Sequence, residues 1–329
     1  MRPYPFKFYE IYKSKIWGGR RMESALGKRL APEVQIGESW ELVDHFDDVS
    51  VVRGGLLEGV PLRELWKDAP SSILGKPLAG RKFKEFPLLV KFIDASGTLS
   101  VQVHPDEAYA REHDPAGESG KNEAWYVVSA GEGAELTAGL ADGVSRKDFK
   151  RLLDGGQVEE CLNRVKVKPG DLIHIAAGTV HSIGPGILIL EIQQTSDATY
   201  RVWDWGRTGQ DGKPRPLHVE HALKVIDFSR GPVGPAAAGQ EPEENGKPVV
   251  VDRCDEFVIE KVTGDKGFAL ASAGDRFSIL VCVSGSGSLL AEGERYSCAA
   301  GDTILLPAAI DAVAIEPAEK IVFLRAYIP

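Results

Sequence analysis

Gln102, His104, Glu123 and His181 are the residues with which this sequence can do chemistry. If 97–104 runs as a strand after Gly97, side chains alternate. Ser100, Gln102 and His104 then share one face, with Leu99, Val101 and Val103 on the other. Within 121–129, Lys121 and Glu123 likewise share a face. His181 follows a tight turn at Gly178. Converging inside one barrel, two imidazoles, one carboxylate and one amide oxygen make an N2O2 site suited to Zn²⁺. On chemistry alone Fe, Mn, Co or Ni also fit. Any one of these residues alone reads as a polar side chain tolerated on a strand; four in register read as ligands.

Other polar residues weigh differently. Lys91 sits in the apolar run Leu88–Asp94, where an unpaired buried charge is costly, so a function is expected of it. His174 occupies a repeat position taken elsewhere by Leu305 and is expected to be a core or wall residue. His218 and His221 lie three apart on a predicted helix and are expected on its solvated face. His45 and His113 carry no readable signal.

The positioning elements are mostly strands. Residues 87–94, 99–104, 123–129, 171–176 and 187–193 are β-branched or aromatic runs bounded by Gly, Pro and Asp. Ser145 is expected to cap a helix through Leu153 that Gly155 stops, and 217–227 has a helical apolar stripe. The pattern predicts a mainly β fold of two jelly-roll barrels with a few helical insertions. Gly170–Ala176 repeats as Gly301–Pro307, and 127–133 as 281–287, so the two barrels should be related copies. In the second, Phe277 falls opposite Glu123 and Ala312 opposite His181, so that copy cannot assemble the ligands and is expected to be structural. Residues 230–247, rich in Pro, Gly, Ala and Glu, read as a linker between a catalytic unit at 1–229 and a degenerate unit at 248–329.

Composition narrows the class further. The chain has 329 residues, 43% hydrophobic and 26% charged, as in an ordinary globular protein. No apolar run approaches the ~20 residues of a membrane helix, and residues 1–10 lack a secretory signal's apolar stretch. Four scattered cysteines without CxxC spacing are expected to be reduced thiols in the cytoplasm. A net charge of −9 argues against nucleic-acid binding but not against gripping one phosphate.

The order Gly97…Gln102-Val103-His104, Glu123…Gly131 and Gly170-x5-Ala176-x-Gly178-x2-His181 resembles the cupin signature, with Gln102 in place of His and Ala176 in place of Pro. The first 230 residues resemble the type I mannose-6-phosphate isomerases of the short form. That likeness runs through Tyr12–Gly19, Gly37–Glu41, 87–106, Gly120–Tyr126, His181 and 191–205. It implies two cupin barrels, one Zn²⁺ per chain, a small phosphosugar substrate, and interconversion of mannose 6-phosphate with fructose 6-phosphate through a cis-enediol(ate). It also implies that Arg201 is an active-site arginine, against the plainer reading of an ion pair with Asp197. Lys91 and Lys121 match active-site lysines, either able to serve as base if its pKa is lowered, with Glu191 and His104 weaker candidates. Ser100 and Arg207 match phosphate-binding positions, and Trp17 and Glu41 positions near the pocket. Another cupin enzyme, or a non-catalytic sugar-phosphate-binding cupin, is the alternative; Gln102 and the cationic residues count against a dioxygenase.

Overall fold

The computed structural model describes residues 4–113, 117–209, 212–236 and 244–329. Residues 237–243, the middle of the expected linker, lie outside the described residues, as do residues 1–3. The polypeptide is mainly β, built as two pairs of antiparallel sheets. The first pair has a six-stranded sheet in the spatial order Ile11–Gly19, Ile36–Leu42, Leu88–Ala95, Ile187–Gln194, Glu123–Ala130, Leu172–Ile175. Facing it is a five-stranded sheet ordered Tyr200–Trp203, Val101–Val103, His181–Ile183, Glu135–Leu140, Leu162–Lys166. The second pair, within Val249–Tyr327, has five strands and four. The apolar-rich runs become central strands because they are buried on both faces: every residue of Leu88–Ala95 is buried.

The helices follow the local signals. Ser145 caps Arg146–Asp154 in a reciprocal capping box with Asp148. The second helix is shorter than its stripe, Val219–Val225, with His218 at its N-cap rather than on its solvated face.

Strand register defines the relation between the copies. Glu123 pairs with Ile175 in the first, and Ser278 with Leu306 in the second. With Gly170 matched to Gly301, Ser278 rather than Phe277 is therefore the counterpart of Glu123. The one-residue correction has a plain cause: strand Glu123–Ala130 has eight residues and Ser278–Ser284 seven, so matching their turn ends displaces the starts. His181 pairs with Gln102, and Ala312 with Ala271. The second copy thus carries Ala271, Ala273, Ser278 and Ala312 where the first carries Gln102, His104, Glu123 and His181.

The two sandwiches share a core. One buried cluster joins Phe86, Leu88, Phe92 and Leu190 to Phe257, Phe277, Ile279 and Leu324. Phe6 bridges strand-fashion to Leu305, with N–H···O distances of 2.9 and 2.8 Å in the two directions. His174 is no core residue: it is partly exposed and its Nδ1 lies 2.8 Å from Asp252 Oδ2, clasping the first sandwich to the second.

Candidate active site

His104, Glu123 and His181 come together with one ligand atom from each lying within 4.8 Å of the others, all three residues fully buried. Different elements deliver them: the end of strand Val101–Val103, the start of Glu123–Ala130, and the start of His181–Ile183. The turn before His181 requires glycine. Gly178 has φ 83°, and a Cβ there would meet the Val225 carbonyl at 2.9 Å. Asn122, which sequence reasoning passed over, pins that turn by accepting the Ala177 N–H at 2.9 Å.

Backbone carbonyls set both imidazoles. His104 Nδ1 donates to Ala198 O at 2.7 Å and His181 Nδ1 to Thr179 O at 2.8 Å. Each ring therefore carries its proton on Nδ1 and turns its Nε2 lone pair inward. Those Nε2 atoms lie 3.4 and 3.6 Å from the Glu123 carboxylate. Burial, with the Lys121 charge, pushes the His104 pKa down to about 4 despite Glu123, and burial lowers that of His181. Burial would raise the Glu123 pKa, but Lys121 and the histidines hold it well below the usual range. At neutral pH the cluster is two neutral imidazoles and one carboxylate.

A cation fits this cluster. His104 Nε2 and both Glu123 oxygens are buried without a hydrogen bond, a costly arrangement that a metal ion would relieve. Gln102 Nε2 lies 3.2 Å from His181 Nε2. The amide would join the ligand set through its oxygen after a half-turn about its last bond. Among the described residues this is the single group of three or more His, Cys, Asp or Glu so arranged.

Beside the cluster opens a polar cleft of about 290 Å³, lined by residues that include Lys15, Trp17, Glu38, Lys91, Ser100, Gln102, Lys121, Glu191, Asp197, Arg201 and Arg215. Its charges are paired in a chain. Lys121 Nζ lies 3.0 Å from Glu123 and 3.7 Å from Glu191, and Lys91 Nζ 2.9 Å from Glu191. Trp125 Nε1 donates to Glu191 at 2.8 Å, and Lys15 lies 3.0 Å from Glu38. Burial alone would depress the Lys91 pKa, but Glu191 and Glu38 outweigh it and raise it. Lys91 is thus a fixed cation and not the lowered-pKa base expected of it. Burial works against ionisation of Glu38 too, yet Lys91 and Lys15 hold its pKa down to about 2.

Arg201 faces the cleft and is no partner of Asp197. Its Nε donates to Ser100 Oγ at 3.3 Å and its NH1 to Pro216 O at 2.9 Å. Two expected pocket residues are elsewhere. Arg207 is spent on the Asp204 carboxylate, 3.0 Å from its Nε, and on the Thr98 carbonyl, and does not line the cleft. Arg215 shares Asp204, at 2.7 Å, and does line it. Glu41 is buried under the cleft wall against Lys28, whose Nζ lies 2.8 Å away and also donates to Gly301 O in the second sandwich. Nothing in the periodicity separated Arg215 from Arg207, because both sit in a loop without a repeat.

Known proteins resemble this chain in sequence and in fold. Residues 6–130 match the catalytic domain of phosphomannose isomerase type I, and residues 249–325 the mannose-6-phosphate isomerase cupin domain. The chain is 37% identical over 317 residues to a probable mannose-6-phosphate isomerase of Bacillus subtilis, covering 95% of this chain and 96% of the relative. It is 37% identical over 296 residues to a mannose-6-phosphate isomerase of Streptococcus mutans, covering 89% of each. Its fold matches the crystal structure of the Bacillus subtilis mannose 6-phosphate isomerase with TM-score 0.85 at 29% identity, across 99% of this chain and 100% of that one.

Proposed function

The chain belongs to the type I phosphomannose isomerases, enzymes that interconvert mannose 6-phosphate and fructose 6-phosphate, and we propose how its own residues carry that reaction. The observation that carries the assignment is the convergence of two tautomer-fixed imidazoles and a desolvated carboxylate at the edge of a cleft lined by cations. We propose Gln102, His104, Glu123 and His181 as ligands of one Zn²⁺. When bound, the ion supplies a Lewis acid for the oxygens on C1 and C2 and neutralises enediolate charge.

The protein's side chains do the rest. Arg201 places a fixed positive charge over the oxygen on which charge develops, held at its angle by Ser100 and Pro216. The proton shuttle between C2 and C1 falls to Lys121. Glu191, 3.7 Å from its Nζ, can exchange a proton with it. Lys91 stays charged and holds Glu191 in place. Ser100 and Arg215 are the phosphate anchor, with Trp17 as the cleft wall. The anchor supplies remote binding energy that orients the reacting carbons.

The division into a catalytic unit at 1–229, a linker at 230–247 and a non-catalytic cupin at 248–329 remains our reading, supported by the Ala-Ala-Ser-Ala replacement of the ligand set. A cytoplasmic site of action is likewise proposed: no helix among the described residues is long and apolar enough to cross a membrane, and all four cysteines are free. Coupled turnover of mannose 6-phosphate by zinc-loaded protein, with free mannose as control, tests the assignment. Comparable efficiency on free mannose overturns the phosphate anchor.

A further inference from the structure

We infer that His218 is a positioning residue for the reaction, fixing Arg201 through its backbone; this rests on Arg201 acting on the substrate as proposed above. Strand Tyr200–Trp203 is the edge of the five-stranded sheet, so one row of its backbone groups has no partner strand. At Arg201 both outward groups are taken by one residue. His218 N–H donates to Arg201 O at 2.7 Å, and Arg201 N–H donates to His218 Nδ1 at 3.2 Å. Two residues upstream, Pro216 O accepts from the Arg201 guanidinium at 2.9 Å. The 216–218 strap thus holds Arg201 at its amide, its carbonyl and its guanidinium.

On the inner edge, Arg201 stands opposite Gln102. Because its amide and carbonyl point away from that neighbour, the pair has no hydrogen bonds between its backbones. Such pairs bring side chains closest, and their separation depends on how the edge strand is held. An edge strand released from its strap can shift by a fraction of an ångström, and reacting groups are intolerant of that.

The imidazole suits the task only as a neutral ring with Nδ1 unprotonated. His218 is half-buried, and burial together with the Arg201 charge lowers its pKa, keeping that lone pair available at neutral pH. Tyr200 meets the ring edge to face, with centroids 6.3 Å apart. The backbone half of the clasp needs only the N–H of residue 218, which every substitution but proline keeps, so loss of the ring is a change of position rather than of fold.

The test uses geometry that two amides reproduce differently. Asn places its oxygen where Nδ1 sits; Gln places its terminal group where Nε2 sits. In zinc-loaded enzyme, His218→Ala and His218→Gln should lower kcat about tenfold with metal content unchanged, and His218→Asn should restore most of it. In an Arg201→Ala background, His218→Ala should then have almost no further effect. Equal kcat in the Asn and Gln variants, wild-type kcat in the Ala variant, or the same loss with and without the arginine would each overturn the inference. Full activity of Arg201→Ala alone would instead bring down the role given to Arg201, a separate result from a silent His218 series.

Discussion

Gln102 and Arg201 are direct neighbours across an antiparallel pair, and Gln102 is also the partner of His181 on its other side. One short strand thus sets the guanidinium, the amide and an imidazole side by side. If Arg201 acts on the substrate as proposed, metal binding and substrate chemistry should separate by mutation even though their residues share that strand.

Arg201→Ala should therefore keep its metal and its thermal midpoint while kcat falls about 10²–10³-fold, as when an oxyanion donor is lost. Metal analysis, thermal melts and steady-state kinetics on one preparation check this. Loss of the metal or of the fold would make Arg201 a structural residue.

Metal content should be one equivalent per chain. His104→Ala and His181→Ala should bring it close to zero, while His174→Ala should retain it. The latter should lower stability by no more than about 1 kcal/mol, since the Asp252 pair is partly exposed. A second tight equivalent would contradict the Ala271, Ala273, Ser278 and Ala312 replacement.

Arg215→Ala should raise KM for mannose 6-phosphate about tenfold or more with a smaller change in kcat. Arg207→Ala should leave KM near wild type and act through stability, because Arg207 touches Asp204 and Thr98 and not the cleft. The reverse ranking would return the phosphate anchor to Arg207.

Removing Lys91 should cost more stability than its position in a cleft suggests. Lys91→Met leaves the Glu191 carboxylate with only the Trp125 N–H and the more distant Lys121, and weakens the restraint on Glu38; breaking such a buried pair costs about 3–5 kcal/mol. Chemical denaturation measures it. A variant as stable as wild type would show that Glu191 is neutralised by another route.

Acid should destabilise the metal-free protein. His104 has a folded pKa of about 4 against 6.5 unfolded, so the unfolded chain binds more protons between those values. Stability therefore falls as pH drops from about 6.5 towards 4, by about 3 kcal/mol for this residue, and the lowered pKa of Glu123 acts in the same sense further down. Melting curves of apo-protein from pH 7.5 to 4.5 should show the slope, and His104→Gln should flatten it.

Much of this site was legible before any coordinates. Alternation put Gln102 and His104 on one face, and the strand that bears them obeys it, with Val101 and Val103 in the core behind. The cluster of His104, Glu123 and His181 was readable because regular strands carry it. What escaped were consequences of irregular chain. Arg215, Arg207 and His218 lie in loops or at a helix end, where no period says which way a side chain turns. Glu41 was misplaced because its strand is buried on both faces, so a carboxylate there can face the neighbouring sandwich as readily as the cleft. The Phe277 for Ser278 displacement has the same root: one residue more in one copy's strand is invisible to a pattern that repeats every two.

The bridge between Phe6 and Leu305 ties two residues that lie far apart along the chain. A ribosome delivers these partners far apart in time, so the shared core around Phe86, Phe92, Phe277 and Leu324 cannot close until Leu324 has been made. The half that bears His104, Glu123 and His181 waits, with apolar surface uncovered, for the half that supplies Phe277 and Leu324. Contacts so distant along the chain slow folding and lengthen exposure to aggregation. The second sandwich thus covers apolar surface of the first that would otherwise face water.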